Sequence, residues 1–96
     1  MAKVNKREML EVMLEMLDAA FGDDPQVTYR VGTRDYGGLR YVNLVILADI
    51  HGKTAKIDRL YDYSNLVHVD QIRPDVSDCV VAILKAKADP TLIEGL

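Results

Sequence analysis

The segment Leu39–Ile50, LRYVNLVILADI, constrains the fold of this chain more than any other. Its twelve residues are too few to cross a membrane as a helix, and their β-branched and large aliphatic side chains predict a β-strand. Alternate side chains of a strand point to opposite faces of its sheet, and here both faces are mostly apolar. Each face must therefore be covered by a helix, by the wall of a curled barrel or by a second copy of the chain.

The other segments predict a single α+β domain over residues 1–96. Apolar side chains at three- and four-residue steps predict an N-terminal helix over 4–21 and a C-terminal helix over 75–88. Alternating or apolar runs between them predict strands at 27–33, 39–50, 54–63 and 66–72. We therefore expect two layers, in which two helices pack on a three- to four-stranded antiparallel meander.

Two parts of this scheme have alternatives. Residues 54–63 also fit a helix, and we favour a strand because the His51-Gly52 pair before them predicts a hairpin turn.

Pro74 is expected to end the strand at 66–72, and Asp75 to cap the next helix.

The second alternative is a different fold. Residues 53–74 resemble the last hairpin of small SH3-like barrels, whose strand ends in a polar, an apolar and a basic residue before proline. Here that ending is Gln71-Ile72-Arg73-Pro74. The resemblance implies a variant of such a barrel as the alternative to the open two-layer arrangement.

Composition describes a globular protein of the cytoplasm. Hydrophobic residues make up 49% of the chain and charged residues 28%, as in ordinary soluble domains. The one cysteine, Cys79, excludes an internal disulfide, and we interpret it as a buried thiol. Charges interrupt the apolar run near the N-terminus, so it is not a signal peptide. A cytoplasmic protein, most simply of bacterial, archaeal or phage type, is the expectation.

No catalytic, metal or phosphate site is recognisable from spacing. His68 could form a catalytic pair with Cys79 or Asp70, since a thiolate needs a basic neighbour, but Asp70 and His68 two residues apart on one strand face also fit a plain surface contact, which we favour. A metal would need further ligands at defined spacings, and none is present. Gly37 and Gly38 lie between strands, not before a helix, so they do not form a phosphate loop. We predict a non-enzymatic protein without metal or cofactor.

Arginine and tyrosine side chains form the remaining candidate site. Both residue types are enriched at binding hot spots and can stack on rings or bases. The candidate binding residues are Arg34, Tyr36, Arg40, Arg59 and Tyr61, within a wider group that includes Arg30, Tyr41 and Tyr63. The alternative is that these residues have only a structural role, in which tyrosine rings pack on the aliphatic parts of arginine side chains across the sheet.

The charge distribution bears on the partner. The net charge of −3 is uneven, with −3 over residues 1–24, +2 over 25–74 and −2 over 75–96. A balance of +2 is far from the strong basic stripe of a nucleic-acid-binding protein. A partner that is another protein is therefore the first expectation, and a membrane is not expected.

The leading hypothesis is a small protein-binding module, a regulator or inhibitor that acts through protein–protein contacts and forms a homo-oligomer. It depends on the doubly apolar strand and on surplus methionines, Met9 and Met16, in the first helix. Phage and mobile-element inhibitors of host proteins are often of this size and charge. The alternative is a binder of nucleic acid or of a small anionic, nucleotide-like ligand on an Arg/Tyr sheet face.

Overall fold

The computed structural model describes residues 6–62 and 69–96. The elements are helix α1 (Lys6–Phe21), strands β1 (Val27–Tyr36), β2 (Leu39–Ile50) and β3 (Lys53–Asp62), helix α2 (Val69–Ala88) and a 3-10 helix (Pro90–Gly95). The strands form one antiparallel sheet in which β2 lies between β1 and β3. This confirms the α+β prediction and shows that residues 53–62 form a strand, not a helix.

Two-residue turns join the strands and fix their register. Gly37 and Gly38 have φ of 57° and 88°, and His51 and Gly52 have φ of 50° and 80°. Positive φ at both central positions defines the turn whose twist matches that of the flanking strands. Because the first turn needs only its two glycines, residues 34–36 extend β1, which was predicted to end at residue 33.

Both helices pack on one face of the sheet, where the core lies. The central strand contributes a row of buried side chains: Val42, Leu44, Ile46, Ala48 and Ile50. Helix α1 contributes buried side chains at four-residue steps: Met9, Met13, Leu17 and Phe21. Helix α2 contributes Ile72, Val76, Cys79, Ile83 and Ala86. The core-facing side of the predicted central strand is thus covered by helices.

The buried stripe of α1 is narrower than the predicted one. The three- and four-residue spacing of apolar residues places Leu14 in the predicted stripe beside Met13 and Leu17, but Leu14 is 40% exposed, whereas Met9 and Met13 are fully buried. A single row at four-residue steps is enough to fill the space above a three-stranded sheet. Two of the methionines therefore fill the core, and they no longer support a methionine-rich contact surface.

Helix α2 begins earlier than predicted. Residues 69–72 are helical, so the predictions of a strand reaching residue 72 and of a helix start at Asp75 are wrong. Residues 66–68 of that proposed strand, which include His68, and Tyr63 lie outside the described residues. Pro74 lies inside the helix and costs it one backbone hydrogen bond. The helix nevertheless includes residues before Pro74 because Ile72, one turn before Val76, is buried and extends the apolar stripe of α2 toward its N-terminus.

The sheet of the described residues is open. Strands β1 and β3 each pair only with β2, so they do not close a barrel. The two-layer arrangement is therefore present in place of the SH3-like variant.

Polar contacts join the layers at one end of the molecule. Lys87 near the end of α2 forms an ion pair with Asp24 in the turn after α1. The hydrogen bond from Lys87 is the main cause that lowers the pKa of Asp24. The hydroxyl of Tyr29 in β1 donates to Asp18 in α1. These contacts hold the start of β1 against both helices.

Candidate functional site

The second face of the sheet is not covered by any helix of the described residues. We call it the open face and define it by the side chains of alternate residues: Thr28, Arg30, Gly32, Arg34 and Tyr36 of β1, Tyr41, Asn43, Val45 and Leu47 of β2, and Lys56, Asp58, Leu60 and Asp62 of β3. Its middle is formed by β2, the strand that was predicted to have two mostly apolar faces, each needing a cover.

The middle of the open face is apolar. Val45 is only 5% exposed because the neighbouring strands flank it, while Leu47 is 38% and Leu60 is 45% exposed. Leu60 pairs with Asn43 and Leu47 pairs with Lys56, so the two exposed leucines lie one row to either side of Val45. The apolar middle with charged side chains on both outer strands resembles the anatomy of a protein interface.

The backbone beneath this face is held by Asn43, which is buried and polar. Its amide nitrogen donates to Asp58 Oδ1 at 2.7 Å and to the carbonyl oxygen of Arg59 at 3.0 Å. A buried amide that finds acceptors on the next strand fixes the register of β2 and β3. The Asp58 carboxylate is thereby oriented on the open face and keeps a second oxygen for another contact.

Two shallow depressions lie side by side on the open face, with Arg30 between them. One, of about 250 Å³, is lined by Thr28, Tyr29, Arg30, Val45 and Leu47. The other, of about 260 Å³, is lined by Arg30, Val31, Gly32, Thr33, Arg34 and Asn43. The second exists because Gly32 has no side chain, and a Cβ there would meet no atom within 4 Å.

The structure divides the predicted binding residues between the two faces. Arg34 and Tyr36 lie on the open face, together with Tyr41. Arg40, Arg59 and Tyr61 alternate with them and share the side of Val42 and Ile57, which the helices cover. Tyr61 packs against the core. The five residues therefore do not form one surface, although Arg34 and Tyr36 remain together.

Arg34, Tyr36 and Tyr41 contact one another near the first hairpin turn. The Arg34 guanidinium donates to the Tyr36 hydroxyl at 3.2 Å. The rings of Tyr36 and Tyr41 meet edge to face, with centroids 5.7 Å apart. These side chains are thus pre-arranged at one end of the open face.

Sequence reasoning missed the other residues of this face, namely Thr28, Gly32, Asn43, Val45, Leu47, Lys56, Asp58, Leu60 and Asp62. Alternation along β2 had grouped Val45 with Leu47, but only the strand register shows which residues of β1 and β3 stand beside them.

Cys79 and Tyr61 lie together on the opposite, helix-covered side. Burial raises the pKa of the Cys79 thiol above its ordinary value of 9.0. Burial, and then the nearby Asp75 carboxylate, raise the pKa of Tyr61. The Tyr61 hydroxyl is buried and makes no hydrogen bond of normal geometry among the described residues. A thiol held neutral in this way is not activated as a nucleophile.

This burial predicts a loss of stability at alkaline pH. A raised pKa in the folded state stabilises the protein fully below the unfolded thiol's pKa of 9.0, and that contribution is lost as the pH rises. We expect the urea midpoint of the wild type to fall between about pH 8 and pH 10, and to fall less for Cys79→Ala. Alkylation of the native thiol as fast as in denaturant would contradict the buried role.

Residues 6–62 and 69–96 hold no group of three or more histidine, cysteine, aspartate or glutamate side chains that could bind a metal. None of their helices is long and apolar enough to cross a membrane.

Comparisons of the chain with protein-family models, with curated proteins and with solved structures found no match.

Proposed function

We propose that this protein is a non-enzymatic protein-binding module, a cytoplasmic regulator or inhibitor, that docks through the open face. The observation that carries the proposal is the apolar middle of that face, Val45, Leu47 and Leu60, beyond the reach of both helices. Antiparallel sheets often leave one face to water, but such faces are usually polar along their central strand. Burial of this face by a partner would remove apolar area from water.

The polar side chains around this centre also favour a protein partner. Arg34, Tyr36 and Tyr41 are of the types that dominate binding energy at interfaces. Arginines on β1 and a mixture of aspartates with Lys56 on β3 give the face both signs, which suits a mixed protein surface better than a polyanion. The neutral, buried Cys79 supports a binding function over nucleophilic catalysis.

A second candidate is supported by the depression between Arg30 and Arg34. Two guanidinium groups on the rim of a 260 Å³ hollow could hold a small anionic, nucleotide-like ligand. Titration with ATP, followed by amide chemical shifts around Gly32, tests this candidate. Saturable shifts that disappear in Arg30→Ala would favour it over protein docking.

Site-specific photo-crosslinking tests the protein-binding proposal. A photoreactive amino acid replaces Leu47 on the open face or, as a matched control, Leu84 on the outer side of α2, which is 48% exposed. We expect a discrete protein adduct from position 47 in cells that naturally contain the protein, and we expect Leu47→Asp to compete poorly for the same adduct. Identical adducts from both positions, or adducts from position 84 alone, would contradict docking by the open face.

A further inference from the structure

The charges of the open face follow a fixed order across the strands. Arg30 of β1, Val45 of β2 and Asp58 of β3 stand in one row perpendicular to the strands. A second row has the same order, with Arg34, Tyr41 and Asp62. In these two rows β1 presents positive charge and β3 presents negative charge at the same height along the sheet, while the row of Leu47 carries Thr28 on β1 and a positive Lys56 on β3.

We propose that the partner of the open face is a second copy of this chain, related by a two-fold axis that runs parallel to β2 just above it. This inference rests on the proposed function and names the occupant of the same surface. The resulting dimer is two sheets packed face to face, with helices on the outside of both.

The symmetry of such a dimer pairs the charges. A two-fold rotation about an axis along β2 keeps the height of every row and reverses the order of the strands, so β1 lies over the partner's β3. Arg30 then faces the partner's Asp58, and Asp58 faces the partner's Arg30, at the ~10 Å spacing of packed sheets. Arg30 makes no hydrogen bond or ion pair with the described residues, so it is free for this contact.

The shape of the face agrees with the same axis. The row between the two charged rows consists of Gly32, Asn43 and Leu60. In the dimer the exposed Leu60 side chain lies over the partner's Gly32, whose missing side chain leaves the 260 Å³ depression. Val45 and Leu47 lie near the axis and meet their own copies. Charge and shape therefore select the same arrangement independently.

The other two-fold axis in the plane of the sheet pairs fewer charges. An axis perpendicular to the strands would place β1 over the partner's β1 and β3 over the partner's β3. With this axis at the row of Asp58 or of Leu60, arginine faces arginine and aspartate faces aspartate, and like charges brought together across an interface are strongly unfavourable. With the axis between the rows of Val45 and Leu47, Asp58 faces the partner's Lys56, but Arg30 faces the partner's Thr28 and has no acidic partner. The charge order across the rows thus favours one face-to-face dimer over the other.

The size of the face bounds the affinity. Three strands ~4.8 Å apart and ten residues long cover roughly 15 by 33 Å, or about 500 Å² before side-chain relief is counted. Stable interfaces bury about 800 Å² from each partner, so this dimer lies below that size, among the small interfaces of weak complexes. We expect a dissociation constant on the order of micromolar, which rises with salt.

Charge reversal tests the dimer. Sedimentation velocity is measured for the wild type, for Arg30→Asp, for Asp58→Arg, for their equimolar mixture and for the double variant. Lys85→Asp, on the exposed side of α2, is the control for the change in net charge. Each reversal puts two repulsive pairs into a homodimer, and at roughly tenfold per pair we expect about a 100-fold weaker association.

The mixture is the decisive sample. An Arg30→Asp chain and an Asp58→Arg chain restore both ion pairs in a heterodimer, so we expect the mixture and the double variant to dimerise while each single variant stays monomeric. A wild-type dimer with no recovery in the mixture would overturn the proposed axis. If a reversal prevents folding, the test uses Arg30→Gln and Asp58→Asn instead. If the losses of dimer affinity from these two changes add in the double variant, the two side chains do not contact each other and the proposed ion pair is overturned.

The failure of this inference differs from the failure of the proposed function. A wild type that stays monomeric at millimolar concentration would overturn the second copy as partner, while crosslinks from position 47 to another protein would still support docking by the open face. A wild-type dimer that Leu47→Asp leaves unchanged would overturn the second copy at this face, and crosslinks from position 84 alone would overturn docking by the open face.

Discussion

Leu44→Ala is expected to lower the free energy of unfolding by about 2–5 kcal/mol, as large-to-small changes in a close-packed core do. Leu44 lies in the middle of the central strand, is fully buried and faces both helices. A domain of this size is stable by only about 5–15 kcal/mol, so the loss is a large share of the total. Thermal unfolding should show a midpoint lower by about 10–30 °C.

Leu47→Ala is the matched control for this prediction. Leu47 is the same residue type three positions along β2, but it lies on the open face and is 38% exposed. We expect it to cost less than about 1 kcal/mol in the monomer, since much of its surface is already in contact with water. Equal losses at both positions would mean that the helices do not cover the face that carries Leu44.

The double variant Arg34→Ala/Tyr36→Ala is expected to abolish or strongly weaken partner binding while its melting temperature barely changes. Both side chains are exposed on the open face, and their hydrogen bond is made to each other, so removing both leaves no buried group unpaired. Binding by the wild type should weaken with added salt, because exposed charges are screened beyond ~10 Å at 0.1 M. The affinity is measured by sedimentation or by titration calorimetry.

Arg40→Ala is the control for the double variant. Arg40 was predicted to belong to the same surface, but the strand alternation puts it on the other side of the hairpin. We expect its replacement to leave the affinity unchanged. An equal loss from Arg40→Ala would mean that the binding surface wraps around the end of the hairpin, and a double variant with full affinity would remove Arg34 and Tyr36 from the site.

The sheet was largely predictable because its signals are local. The bounds of β2 follow from one uninterrupted run of strand-forming residues, and the two turns follow from glycines that accept positive φ. The start of α2 was not predictable in the same way, because Pro74 is a strong local signal against a helix. The burial of Ile72 against the sheet overrides it, and burial is a tertiary effect.

The site was less predictable than the fold. Alternation separates the two faces of β2, but both are apolar, so the sequence alone does not say which face the helices choose. Arg59 and Tyr61 were predicted to bind because arginine and tyrosine are common at binding sites. Only the strand register shows that they lie on the helix-covered side of β3, whereas Asp58 and Leu60 lie on the open face. The depression at Gly32 could not be predicted without the strand register either, because a glycine in the sequence does not show which side chains surround it.

Methyl NMR spectra recorded over a dilution series test the central claim most directly, because they report on each face of the sheet separately. We predict that the methyl resonances of Val45, Leu47 and Leu60 shift as the protein is diluted from about millimolar to about micromolar, the range in which a small interface dissociates. The resonances of Leu44 and Ile46 on the core side should stay fixed. Shifts confined to the outer side of the helices, at Leu14 and Leu84, or no shift on the open face at any concentration, would contradict the account.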